Sequence, residues 1–284
     1  MVLSAQLNRS KLASLVYHDL FSYPLTESEL DYWQMGKGVY ELKILPKYSF
    51  KDKYFFVSGR KNIINVRKKR TRFSNQKLKI AQQSARLIGK IPSVLFVGIT
   101  GSLAMHNAKA KDDIDFLIIT QKNALWTSRL AVLAYLKLKG KAVRRFNQIE
   151  EKDKLCLNMW LSADDLKIKQ SLFAAHEITQ VIPLVNKNKI YEKFMFQNSW
   201  YKKYWPNASR KKKLENHISY IEKQKYARQL IGVIVELVCF WIQNIYMRRH
   251  KTREEVTRIR AFFHPIDWDK KVVKKLASRG LMLK

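Results

Sequence analysis

Cysteine and acid are both scarce. Only Cys156 and Cys239 occur in 284 residues, each inside an apolar run. Two such thiols argue against a disulfide framework or a structural zinc site and suit a reducing compartment. Acidic residues number 23 against 55 Lys and Arg, a formal net charge of +32. That imbalance costs self-repulsion in a folded chain, and a polyanion relieves it, so nucleic acid is the expected partner. The start, MVLSAQLNRSK, lacks the apolar core of a secretory signal, and a cytoplasmic location is expected. No internal repeat or low-complexity tract interrupts the chain. The most apolar stretch, Leu230 to Met247, has 18 residues and carries Glu236 near its middle. That is at the short limit for a membrane span, and a central charge is costly in lipid, so no stable insertion is expected. It is read as the buried central helix of a C-terminal bundle.

What is present centres on Val94 to Thr120, VLFVGITGSLAMHNAKAKDDIDFLIIT. Val94 to Val97 is a short run of β-formers. Gly98 and Gly101 allow a sharp turn, because glycine tolerates φ values that other residues resist. Ser102 is placed to cap a short helix reaching about Asn107. Asp113-Ile114-Asp115-Phe116-Leu117-Ile118-Ile119 reads as a strand with acids at i and i+2, which share one face. Two acids beside a buried apolar run carry an electrostatic cost, and a divalent cation with hard oxygen ligands removes it. A helix start after Gly101 would turn backbone N–H groups toward phosphate. No second metal motif occurs elsewhere.

The order Gly101-Ser102, spacer, Asp113-Ile114-Asp115-Phe116 resembles the signature of the nucleotidyltransferase superfamily related to DNA polymerase β. The likeness is confined to about Val94 to Thr120. It implies that Asp113 and Asp115 hold Mg²⁺ (Mn²⁺ as a substitute) and that Gly101 and Ser102 bind the oxygens of a nucleoside triphosphate, ATP first. It implies attack on the α-phosphorus with loss of pyrophosphate. Lys109 and Lys111 either reach that pyrophosphate or lie in a solvated loop. Family members commonly carry a third carboxylate on a later strand. The matching position here is Asn158, in Leu155 to Leu161, and an amide can ligate a metal but cannot serve as a general base. Either Asp113, Asp115 and Asn158 form the set, or Asp153 swings in, or the core is degenerate. His176 and Glu177, on a later helix, read as structural.

The fold class expected is α+β, in four parts. Residues 1–60 suggest a winged helix-turn-helix: a helix over Leu7 to Phe21, a second opened by the capping box Thr26 to Glu29, a third over Val39 to Leu45, and a hairpin around Lys51-Asp52-Lys53. It serves either docking or duplex binding. Residues 61–90 form a basic connector helix with a phosphate-tracking face. Residues 91–185 form the small mixed-sheet nucleotidyltransferase core, including a helix over Leu125 to Lys139 and a short strand over Ala142 to Phe146. Residues 186–284 form a helical C-terminal domain, with one helix running from Thr252 to His264. Its aromatic residues from Tyr191 to Trp205 make either a core or a stacking surface for single strands. The function expected is Mg²⁺-dependent transfer of a nucleoside monophosphate to nucleic acid, RNA or tRNA first. The alternatives are transfer to a small molecule or protein side chain, and a nucleic-acid-binding regulator with a non-catalytic core.

Overall fold

Asn8 opens the first helix: its side chain accepts from the Lys11 amide and starts α1 (Arg9–Asp19). The expected capping box is formed, Thr26 and Glu29 each satisfying the other's backbone N–H, and it starts α2 (Glu27–Tyr32). The structure is a computed structural model, and it describes residues 7–145, 148, 150–208, 218–220, 229–248, 255–263 and 267–284. The helix expected over 39–45 is instead a strand, β1 (Tyr40–Leu42). It pairs antiparallel with Leu281–Leu283 at the far end of the chain. A partner that distant supplies the ladder hydrogen bonds and overrides a weak local preference. The hairpin is present as β2 (Tyr48–Lys51) and β3 (Tyr54–Val57), joined through Asp52 and Lys53, both at positive φ. Left-handed backbone at both turn residues matches the twist of the flanking strands. The expected winged helix therefore keeps two helices and its hairpin but has no third helix.

The connector is one helix of 27 residues, α3 (Ile63–Gly89), anchored by Ile63, Ile64, Ala81, Ala85 and Ile88. It delivers the chain to β4 (Val94–Ile99), all six residues of which are buried. The turn that follows is α4 (Gly101–Ala104), shorter than the helix expected to Asn107. Then come β5 (Ile114–Thr120), α5 (Leu125–Leu138) and β6 (Leu155–Ser162). β6 lies parallel to β5, with α5 in the crossover. Of the strand expected over 142–146, residue 146 lies outside the described residues, and 142–145 form only a single bridge, from Val143 to Leu155. α6 (Leu172–Gln180), capped by Ser171, leads to β7 (Ile182–Lys187), α7 (Ile190–Gln197) and α8 (Tyr201–Tyr204). Phe194, Tyr201 and Trp205 are buried, so these aromatics belong to the core.

The segment expected as a helical domain contributes helices and strands. β8 (Ile218–Tyr220) precedes α9 (Gln229–Arg248); β9 (Glu255–Val256) and β10 (Arg260–Phe262) replace the helix expected from Thr252; α10 (Trp268–Ala277) and β11 (Leu281–Leu283) follow. Strands β8 to β10 extend one mixed sheet in the order β8-β7-β4-β5-β6-β10-β9. The open edge of β6 takes up Arg260, Ala261 and Phe262, whose side chains alternate as a strand requires. One apolar cluster joins α1 and α2 to Phe96, Leu117 and Leu161 of the sheet and to Val272, Leu276 and Leu281. A second lies under α3 and α5, and a third, smaller one joins Tyr54 and Phe56 to Ile63 and Ile64. No helix among the described residues is long and apolar enough to cross a membrane.

α9 is not the buried centre of a bundle. One face packs on α5 and the other is exposed. Glu236 explains its own presence in an apolar helix. α5 has no side-chain cap of its own at Ala124. Glu236 takes that role from outside, accepting from the Trp126 amide at 2.6 Å, the Thr127 amide at 2.9 Å and the Thr127 hydroxyl at 2.8 Å. The negative charge faces the positive end of the α5 dipole. Gln243, two turns on, accepts from Arg129 at 2.6 Å and donates to the Trp126 carbonyl at 2.8 Å. Glu236→Ala leaves the buried Trp126 amide and the half-buried Thr127 amide without an acceptor, a loss of about 1–3 kcal/mol. Chemical denaturation of that variant is expected to show the loss, with a smaller one in Glu236→Gln.

Candidate functional site

Three segments converge at the top of β4 and β5. Gly101 sits at φ +62, and a β-carbon there would lie 2.5 Å from Asp115 Oδ2. Glycine is thus required twice, for the left-handed backbone and for the close approach of the carboxylate. Asp113 precedes β5 and Asp115 lies within it. Cys156 of β6 stands in register with Asp115. Ligand atoms of Asp113, Asp115 and Cys156 all lie within 4.8 Å of one another. Asn158, two residues on, donates from Nδ2 to Asp115 Oδ1 at 2.6 Å. Its own Oδ1 is buried and accepts no hydrogen bond.

A third carboxylate arrives from a helix. Glu177 on α6 accepts from the Gly101 amide at 3.3 Å and also from Gln180. The two residues expected to be structural face different surroundings. His176 turns into the aromatic cluster, stacked on Trp33 at 4.4 Å between ring centroids, with its Nε2 3.3 Å from that of His18. Adjacent helical residues point 100° apart, so one side chain is packed and its neighbour faces the acids. Burial and the Asp113 and Glu177 carboxylates push the Asp115 carboxyl up to about 8. Burial pushes Glu177 up to about 7, opposed by the Gly101 amide. The Cys156 thiol is driven far up by burial and both aspartates, so it stays neutral.

The other expected residues are placed differently. The phosphate cradle at Gly101-Ser102 is only one helical turn, and its first amide is taken by Glu177. Ser102 donates to Asp112 Oδ2 at 3.3 Å, and the Lys109 amide donates to the same oxygen at 2.8 Å. Both therefore shape the loop before the acids. Lys109 and Lys111 are exposed. Asp153 does not swing in, because Lys77, 2% exposed on α3, holds it at 2.6 Å. Arg144 was not singled out in the sequence, yet it meets Asp113 Oδ2 at 2.7 Å and pairs with Glu151. Only its position in a basic pair, Arg144-Arg145, marked it.

The donors suit a hard cation. Asp113, Asp115 and the unsatisfied Asn158 Oδ1 are oxygens, and a neutral thiol is a poor ligand for any metal. Three carboxylates share this corner with one guanidinium in a chain of charge +32. Repulsion between them is what a divalent cation offsets. No family model, curated protein or solved structure matches the chain.

The pH dependence follows from the sign of the shifts. A free aspartate titrates near 4. The folded Asp115 carboxyl titrates at about 8, so its contribution to stability is whole below the free value and is lost as pH rises through the folded one. Without divalent cations, Asp115→Asn is expected to gain several degrees of melting temperature relative to wild type between about pH 4 and pH 8. Added Mg²⁺ should close that gap at the alkaline end. Differential scanning fluorimetry across pH, with and without EDTA, checks both.

Proposed function

We propose that the protein is a Mg²⁺-dependent nucleotidyltransferase acting in the cytoplasm on nucleic acid, RNA before DNA. One observation carries this: Asp113 and Asp115 are gathered beside the Gly101 turn, with Asp115 packed where only glycine leaves room. Asp113 and Asp115 would hold the metal, with Asn158 Oδ1 as a third oxygen. Bound there, the cation would neutralise phosphate charge and orient the triphosphate. The acceptor hydroxyl oxygen forms a bond to the α-phosphorus, and the bond from that phosphorus to the bridging α–β oxygen breaks. Pyrophosphate carries off the electron pair. Asn158 cannot take the hydroxyl proton. Glu177, titrating at about 7, supplies a base matched to neutral pH. The excess of cations on the chain favours a polyanionic acceptor over a small molecule or a protein side chain.

A second reading has one observation in its favour. Arg144 already neutralises Asp113, as it would in a nucleic-acid-binding regulator whose core no longer transfers.

The test is incubation with each α-labelled nucleoside triphosphate, Mg²⁺ and total cellular RNA, followed by separation of RNA, protein and small molecules. Label is expected in RNA, and Asp113→Asn with Asp115→Asn should lower it by on the order of 1000-fold. Label in another fraction reassigns the acceptor; none in any fraction, with RNA bound, favours the regulator. Glu177→Gln is expected to lower kcat and to remove the limb of the pH–rate profile near 7, while leaving triphosphate binding by calorimetry unchanged.

A further inference from the structure

Between Asp52 and Asp112 the chain contains no Asp or Glu. α3 lies wholly inside that stretch, so its cations have no acid on their own helix to pair with. The fold sorts them into two groups. Arg67 and Lys77 turn inward and meet Glu29 and Asp153. Lys68, Lys69, Arg72, Lys79 and Arg86 are exposed. Of these five only Lys68 has an acidic partner among the described residues, Asp52 at 3.2 Å.

Lys68, Arg72, Lys79 and Arg86 follow one another in steps of four, seven and seven. That keeps them within about 40° around the helix and sets the last three about 10 Å apart. The exposed side chains between them are the amides Asn75, Gln76, Gln82 and Gln83, with Lys69 beside the row. The helix has 27 residues and is roughly 40 Å long. At its start the Lys51 ammonium lies beside that of Lys61 and holds it below its usual value. Like charges crowded at a surface are what a polyanion offsets.

What the row lacks narrows the polyanion. A helix lying on an anionic lipid surface buries an apolar face there. The apolar face of α3 is in the core through Ala81, Ala85 and Ile88, and none of the exposed large apolar side chains among the described residues lies on this helix. A single strand is held by stacking its bases on aromatic rings. The one aromatic residue of α3, Phe73, is half-buried. A straight row of cations with neither feature suits phosphates held in a regular array, as in a double helix. The amides can donate to and accept from a 2′-hydroxyl, which the shallow minor groove of an RNA duplex displays and DNA lacks. The inner face of α3 ties the row to the candidate site. Ser74 accepts from the Ala108 amide at 3.0 Å, and Lys77 donates to the Asp112 carbonyl at 2.6 Å. The loop so held runs directly into Asp113.

We propose that the outer face of α3 binds double-helical RNA through its phosphates and 2′-hydroxyls, without regard to base sequence. That the bound duplex is the acceptor rests on the transferase reading above; the binding does not.

The test is fluorescence anisotropy of nuclease-treated, full-length protein with a labelled RNA duplex of about 20 base pairs, at about 0.05 to 0.2 M NaCl. Mg²⁺ and triphosphate are left out, so binding can fail while transfer stands, and stand while transfer fails. Lys69→Gln, Arg72→Gln, Lys79→Gln and Arg86→Gln combined should weaken binding at least roughly 100-fold and flatten the salt slope by about three to four, close to one per phosphate contact removed. Glutamine has nearly the helix propensity of Lys and Arg, so circular dichroism and melting temperature are retained. Arg72→Gln with Lys79→Gln alone should give about half that change in slope. The control takes four charges from the exposed side of α10, as Lys270→Gln, Lys271→Gln, Lys274→Gln and Lys275→Gln, and should cost less than about threefold. A DNA duplex and a single RNA strand of the same length should each bind at least roughly tenfold more weakly. Equal losses in the α3 and α10 variants reduce the effect to net charge and overturn the proposal. So does a DNA duplex or a single strand bound as tightly as the RNA duplex. RNA binding untouched by the α3 substitutions, with flotation on phosphatidylserine vesicles lost, overturns it in favour of a lipid surface.

Discussion

The register of β5 between β4 and β6 is the constraint on which the molecule depends. Alternate residues of β5 feed two cores. Phe116 and Ile118 enter the cluster under α3 and α5, and Leu117 and Ile119 enter the one shared with α1 and α6. Since the side-chain period is two, a slip of one residue would exchange the faces and move Asp115 away from Gly101 and α6. Burial of four apolar side chains thus holds one carboxylate in place. The same pairing sets Asp115 opposite Cys156 and within reach of Asn158. Packing and site geometry are two consequences of one alignment.

Charge is handled in opposite ways inside and outside. Several buried ions away from the site have partners suited to them. Lys77 meets Asp153 and the Asp112 carbonyl; Arg67 meets Glu29 and lies over the Tyr23 ring; Glu236 meets a helix N-terminus. Each such pairing offsets a desolvation penalty of several kcal/mol per ion. At the Asp113–Asp115–Glu177 corner the rule is broken. Like charges are gathered, two carboxyl groups titrate above their ordinary range, and one amide oxygen stays unsatisfied. Perturbed groups held together by a sheet are what makes this corner the candidate site.

Local chemistry was legible where local physics decides. The Thr26–Glu29 box, the hairpin around Asp52, the long helix over 63–89 and the strand after the Gly101 turn could all be read from neighbouring residues, although that strand, expected to begin at Asp113, begins at Ile114 and holds only the second aspartate. Each depends on contacts a few positions apart. Tyr40 to Leu42, Arg260 to Phe262 and Leu281 to Leu283 could not. Three-residue strands have too few residues to show a period, and their partners lie up to about 240 positions away. Arg144 was passed over and Glu177 was read only as structural for the same reason, since nothing beside them in the chain signals the acids they meet.

The chain order alone carries the apolar runs that make β4 and β5 core strands, the glycine that admits a carboxylate, the acid pair and the cationic excess. These follow from backbone sterics, side-chain period and composition. Only the tertiary structure decided that the third acid comes from α6, that Asp153 is taken by Lys77, and that the charge within α9 is a cap for α5. Those outcomes rest on which surfaces meet when the sheet closes, and the energy of such meetings depends on pairs of residues that the chain order keeps far apart.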